Sequence, residues 1–426
     1  MKVSKRDVPK RVLGGFDMTS EHPLSRPRVL FSAILLIAAA FACVEVAPAQ
    51  VTESQAKESQ AKESVQDQIN RAKELLKSRQ YEKAADVLRQ VIALQPDSAV
   101  AHSHLAVAVV RVGRASEALA LAQRAIELDP EYSFSYLVLG EANQAMNRFD
   151  EAIEAVRQAI RINPDYFDAY GVLGSLYGET KRYEESLDAF NHALRLDSKN
   201  ADVYNGLGIA FYRLGRHEEG IRAVNEAVKL NPNFANAYTN LGNWYNELGR
   251  YEEAVDAFTN VIRIASRFPY AYFNRSLLNL YLGRGDLAGD DAKVFLSLGE
   301  WSRERAPYMA IVGTLGYMKA GRVDDASELL DLAHNRLNAR AWPYPIVAYL
   351  RKEISKDALL SSATDNDKMT EARTYMGLAL AVTGERREAL KHLRWVKENG
   401  NKSFVEFPAA LMELRRLEQT EVDHDH

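Results

Sequence analysis

The sequence predicts an all-α solenoid of stacked helix–turn–helix repeats, and three observations carry that prediction. Prolines at 96, 130, 164 and 232 mark a 34-residue period, with Ser198 at the one step skipped. In phase with them, Tyr170, Leu173, Gly174 and Tyr177 recur as Tyr204, Leu207, Gly208 and Phe211, then as Tyr238, Leu241, Gly242 and Tyr245. Two positions of the period, the eighth and the twentieth, always hold a small residue. Self-similarity of this length belongs to arrays in which each hairpin buries its apolar face only against its neighbours. Such a stack lengthens without dividing into separate cores, so 426 residues do not by themselves imply several domains.

Residues 1–49 read as an export signal. A basic stretch ends at Arg28, an apolar run follows from Val29 to Val44, and Ala47-Pro48-Ala49 supplies a small-x-small cleavage site. The run has 16 residues, short of the roughly 20 a spanning helix needs. Cleavage after Ala49 leaves Gln50 first, and Met18 is an alternative start because the leading segment is long for such a signal. Cys43, the only cysteine, closes the apolar run and offers a second outcome, lipidation, although Ala40 and Phe41 fit the usual lipoprotein pattern poorly. An uncleaved membrane anchor is the third outcome. Under the first, the mature chain has no cysteine, which excludes disulfides and cysteine metal sites. The expected location is the bacterial periplasm or cell envelope, with lipid anchoring as the alternative.

Residues 50–64 repeat a pentad, Glu53-Ser-Gln-Ala-Lys57 and Glu58-Ser-Gln-Ala-Lys62. The Glu-to-Lys spacing of four gives helical pairs on the order of 0.3 kcal/mol each. With no apolar stripe to bury, the segment reads as a polar, partly helical spacer.

The repeats fall at 65–98, 99–132, 133–166, 167–200, 201–234, 235–268, 269–302, 307–340 and 370–403. Their eighth residues are Ala72, Ala106, Gly140, Gly174, Gly208, Gly242, Ser276, Thr314 and Gly377. Their twentieth are Ala84, Ala118, Ala152, Ser186, Gly220, Ala254, Ala288, Ala326 and Ala389. A glycine inside a helix costs roughly 1 kcal/mol against alanine, so five at one position indicate close contact between the two helices. Asp129-Pro130, Asn163-Pro164 and Asn231-Pro232 end the second helix, because the residue before proline avoids helical geometry.

Two interruptions break the period. Four residues, 303–306, precede repeat eight, and residues 341–369 precede repeat nine. The longer insertion holds Trp342-Pro-Tyr-Pro-Ile346 and a helical pattern ending in Asp357-Ala-Leu-Leu360. Residues 404–419 place Ala410, Leu411, Leu414 and Leu417 on one face and Glu413, Arg415 and Arg416 behind it, the pattern of a capping helix. Residues 420–426 read as a disordered tail.

On these positions the chain resembles tetratricopeptide-repeat (TPR) proteins over nearly everything after residue 64. The resemblance implies a right-handed superhelical solenoid of about nine repeats with a C-terminal capping helix. It also implies that the first helix of each repeat lines a concave groove through positions 2, 5, 6, 9, 12 and 13. The C-terminal part, with its Trp-Pro segment, a repeat opening on Glu371-Ala372 and a closing Phe404-Val-Glu-Phe407, is similar to exported bacterial TPR lipoprotein adaptors. That similarity implies partners among envelope proteases or peptidoglycan hydrolases.

Chemistry-bearing motifs are missing. The chain has no phosphate-binding Gly-Lys-Ser/Thr loop, no His-Glu-x-x-His pair and no nucleophile elbow, so neither catalysis nor a cofactor is expected. An enzyme-accessory role is disfavoured because no stretch has room for a catalytic domain. His102 and His104 read as packing residues, and Asp423-His-Asp-His426 as a solvated end, so no metal site is expected. Seven Lys/Arg against four acids give residues 1–49 a balance of +3, which against the whole chain's −4 leaves −7 on the remainder. Nucleic acid is not expected as a partner, since its footprint is a basic stripe.

The strongest binding candidate is Asn236, Asn240, Asn243 and Asn246, whose spacings of 4, 3 and 3 put them on one helical face. An asparagine amide both donates and accepts, so such a row suits the backbone of an extended peptide whatever its sequence. The TPR register puts Asn205, Tyr212 and Arg213 of repeat five on one side of the row and Tyr270, Phe273 and Asn274 of repeat seven on the other. The expected function is a non-catalytic exported scaffold that binds a protein or peptide in its groove. The alternatives are a self-associating envelope protein, dimeric through its array ends, and a lipid-anchored adaptor.

Overall fold

A computed structural model describes residues 53–299, 301 and 305–422. The readings that rest on residues 1–49, Cys43 among them, and on residues 423–426 lie outside these. Twenty-one α-helices and no strand occur among the described residues. They fall into two compact units that meet in the chain at Pro232 and Asn233.

The N-terminal unit is five hairpins. Its helices are α1 (Glu53–Lys77), α2 (Tyr81–Leu94), α3 (Ala99–Arg111), α4 (Ala115–Leu128), α5 (Ser133–Ala145), α6 (Phe149–Ile162), α7 (Phe167–Glu179), α8 (Tyr183–Leu196), α9 (Ala201–Arg213) and α10 (His217–Leu230). Each odd-numbered helix packs on the even-numbered one after it, and each hairpin on the next. The pentad segment from Glu53 is helical, and its backbone is continuous with the first repeat in the 25-residue α1.

The C-terminal unit continues with α11 (Ala235–Glu247), α12 (Tyr251–Ile264), α13 (Pro269–Tyr281), α14 (Gly285–Ser297), α15 (Ala306–Lys319) and α16 (Val323–Arg336). The insertion follows as two short helices rather than one, α17 (Tyr344–Leu350) and α18 (Lys356–Ser362). Lys352, at φ 62°, breaks the path between them, and the Ser355 hydroxyl caps α18 by accepting from the Ala358 N–H at 3.2 Å. Then come α19 (Asn366–Val382), α20 (Arg386–Asn399) and α21 (Glu406–Val422), which runs further than the capping segment and into the stretch read as a tail.

The small residues hold the two helices of a hairpin together. A Cβ on Gly208 would lie 2.4 Å from Val224 Cγ2 and 2.9 Å from the Gly220 carbonyl oxygen, too close for any real side chain. Elsewhere a serine uses the same approach to bridge the helices. The Ser186 hydroxyl donates to the Gly174 carbonyl at 2.7 Å, and Ser276 donates to Ala288 at 2.7 Å. The bulky partners fill what the small residues leave, so Phe258, Leu88 and Leu176 are fully buried.

The turn inside each hairpin is also fixed by one position, the fifteenth. Gly113 and Gly215 take φ of 85° and 78° there, and Arg79, Asn147 and Lys181 take the same left-handed conformation without being glycine. The next N–H then reaches back to close the helix, as Arg182 does to the Tyr177 carbonyl at 2.8 Å. In four repeats that next residue is an arginine lying over the aromatic ring it closes on: Arg182 on Tyr177 at 4.5 Å, Arg216 on Phe211 at 4.4 Å, Arg250 on Tyr245 at 4.5 Å and Arg322 on Tyr317 at 4.4 Å. Each of these arginines also pairs with an acid three residues on, in the first turn of the second helix.

Two substitutions separate these devices. Gly208→Ala gains helix propensity of about 1 kcal/mol but forces two backbones apart at a cost of about 1–3 kcal/mol, so its urea midpoint by circular dichroism is expected to fall. Lys181→Gly relieves a left-handed residue worth roughly 1 kcal/mol, so its midpoint is expected to rise; a fall would contradict the assignment of strain to that turn.

Candidate functional site

Helix α11 carries the asparagine row because its other faces are taken. Ala237, Leu241, Gly242 and Trp244 are buried against neighbouring helices, which leaves Asn236, Asn240, Asn243 and Asn246 together on a half-exposed face. Asn243 accepts a hydrogen bond from the Tyr270 hydroxyl at 2.7 Å through its amide oxygen, a bond that does not use its two Nδ2 hydrogens.

That bond ties α11 to α13. Tyr270 also stands edge-on to Phe258, with ring centroids 6.2 Å apart, and burial pushes its hydroxyl pKa up. Asn274 turns back on its own helix and donates to the Tyr270 carbonyl at 2.8 Å. Phe273 is only 9% exposed and packs on Phe295 at 6.1 Å, beneath the Arg305 guanidinium at 4.7 Å. Phe273 therefore serves the core, although its register placed it in the groove. Arg305 lies over the Tyr270 ring as well, at 5.7 Å, so the aromatic wall beside the asparagines is capped by a cation.

Asn205, Tyr212 and Arg213 belong to the N-terminal unit. Asn205 is half-buried on α9, Tyr212 lies against the His217 ring at 4.4 Å, and Arg213 is exposed at the end of the helix. The same register applied to repeats three and four finds groove-position acids that the sequence reading passed over: Glu141, Asp168 and Glu179. Arg111 donates to both Glu141 carboxylate oxygens at 3.0 Å, and Gln144 donates to Glu179 at 2.9 Å. Burial, and then the charge of Glu141, lift the Asp168 carboxyl from 3.8 to about 6. Burial likewise raises Glu179.

The two histidines of α3 are structural. The Nδ1 atoms of His102 and His104 lie 2.9 and 2.8 Å from the carbonyls of Ser98 and Val100, one turn back, and burial lowers the His104 pKa to about 4. Among the described residues no three His, Cys, Asp or Glu side chains are arranged to hold a metal ion. No helix among them is long and apolar enough to cross a membrane.

Tetratricopeptide-repeat family profiles match residues 69–133, 110–176 and 199–267, and a TPR-repeat profile matches 174–215. Residues 69–267 are tetratricopeptide repeats. No curated protein sequence matches the chain. Among solved structures, the chain is similar to MamA at 24% identity, over 38% of this chain and 95% of that one, with a TM-score of 0.35. It is similar to PilF of Pseudomonas aeruginosa at 17% identity over 48% and 94%, TM-score 0.43. It is also similar to YrrB, described as a TPR protein with an unusual peptide-binding site, at 20% identity over 44% and 96%, TM-score 0.36.

The Asp168 carboxyl gives a pH dependence with a definite sign. A carboxyl raised on folding stabilises the fold fully below its unfolded value, and that contribution is lost as pH rises through the folded value. The window therefore runs from about 3.8 to about 6. Asp168→Asn, neutral throughout, is expected to match the native urea midpoint near pH 3.5 and exceed it near pH 8. Equal midpoints near pH 8 would show that Asp168 carries no such penalty.

Proposed function

We propose that this chain is an exported, non-catalytic TPR scaffold that holds a protein partner as an extended peptide, with the α11 asparagine row clasping the peptide backbone. The observation that carries this reading is the set of four amides on one half-exposed helix face. Each added hydrogen bond contributes about 0.5–1.5 kcal/mol net. Four such bonds fall short of the roughly 8 kcal/mol of a micromolar complex, so flanking groups must add to them. Tyr270 and Arg305 on one flank are suited to this, since the guanidinium over the ring offers a planar donor beside an apolar surface.

Export is supported by the basic stretch, the apolar run and the Ala47-Pro48-Ala49 site. The similarity of the C-terminal part to lipoprotein adaptors supports partners among envelope proteases or peptidoglycan hydrolases. Mass spectrometry of the mature N-terminus distinguishes Gln50 from a lipidated Cys43.

The row is tested by affinity capture from the native envelope with the Asn240→Ala, Asn243→Ala double variant. Captured partners should be lost while far-ultraviolet helicity stays at the native level. Tyr270→Phe is the control, since it removes the internal bond to Asn243 and leaves all four amides; it should keep its partners. Unchanged capture by the double variant defeats the proposal.

A further inference from the structure

Helix α21 does more than end the array. It packs on α20 and α19 and also reaches back to α13, more than 120 residues earlier in the chain. The Tyr281 hydroxyl at the end of α13 donates to the Val405 carbonyl, and Arg416 donates to the Tyr281 carbonyl. From α15, Lys319 donates to Glu413 at 2.6 Å, and Arg416 joins the same carboxylate oxygen at 2.8 Å. From α19, the Tyr375 hydroxyl donates to Glu406 at 3.0 Å. Tyr281, Lys319 and Tyr375 stand at positions 13, 13 and 6 of their repeats, the register that lines the groove in TPR arrays.

The two sides of α21 differ in chemistry. Towards α20 it is apolar: Ala410 and Leu414 pack with Leu390, Leu393 and Val396. Towards α13, α15 and α19 it presents the small Ala409 with two buried carboxylates, Glu406 at 5% and Glu413 at 7% exposure. Buried ion pairs are seldom the most stable filling for a permanent core, because desolvation offsets most of their attraction. Their geometry instead selects one occupant over others.

We propose that α21 is a strap hinged on α20, and that the face of α13, α15 and α19 beneath it is a second docking surface. The partner it fits is an amphipathic helix with two carboxylates seven residues apart and small or apolar residues between them, the pattern α21 itself supplies. Lys319 reads one carboxylate and Tyr375 the other. This surface is distinct from the asparagine row and does not depend on the peptide-clasping role given to that row.

The test uses the full chain and a fluorescein-labelled peptide of residues 402–422. Glu413→Lys weakens the strap but leaves Lys319 on the docking surface, so this variant should bind the native-sequence peptide at least tenfold tighter than the native chain does. Adding Lys319→Glu restores an opposite-charge pair within the chain and removes the cation the peptide needs, so the double variant should lose the gain. Native-level binding by Glu413→Lys with helicity intact overturns the proposal. So does loss of helicity beyond that of α21 in the same variant, because α21 would then be an integral part of the core rather than a strap.

Discussion

The near-contact of two backbones at the eighth and twentieth positions governs the rest of the molecule. Where Gly208 faces Gly220 and Val224, no β-carbon fits, and where Ser186 or Ser276 stands, its hydroxyl spans the gap to a carbonyl of the other helix. This approach fixes which face of each first helix turns inward and which turns outward. The inward faces then differ only in what they carry: amides on α11, acids on α5 and α7, and on α13, α15 and α19 the hydrogen-bonding groups of Tyr281, Lys319 and Tyr375. A binding surface can be varied residue by residue on such a frame, because the contacts that hold the frame lie elsewhere.

In four repeats the arginine after the turn ties three levels of structure together. Its backbone N–H closes the first helix, its guanidinium covers the aromatic ring of that helix, and its charge meets an acid in the first turn of the second helix. Each part is small, because solvent screens both the cation–π contact and the ion pair at the surface. Repetition makes them matter, since each repeat's stability adds to that of its neighbours.

The period and its small positions were legible because a glycine at constant phase inside a helix needs a packing reason. The asparagine row was legible as one helix face for the same reason of spacing. Other features were not, each on physical grounds. The continuity of α1 was obscured because the pentads carry no apolar stripe, yet nothing in them breaks a helix. The split of the insertion falls at Arg351-Lys352, where no glycine or proline announces a turn. Register placed Phe273 in the groove but says nothing of what lies over it, and Arg305 and Phe295 enclose it. The pairing of Lys319 with Glu413, 94 residues apart, follows no period and leaves no local trace.

The length of α1 has a mechanical consequence. It has 25 residues against 14 in its partner α2, so at about 1.5 Å per residue it overhangs the first hairpin by roughly 16 Å. A coil of that length would transmit only a pull. An unbroken helix transmits torque and bending as well, so whatever is joined to its free end sets the attitude of the first hairpin as well as its reach.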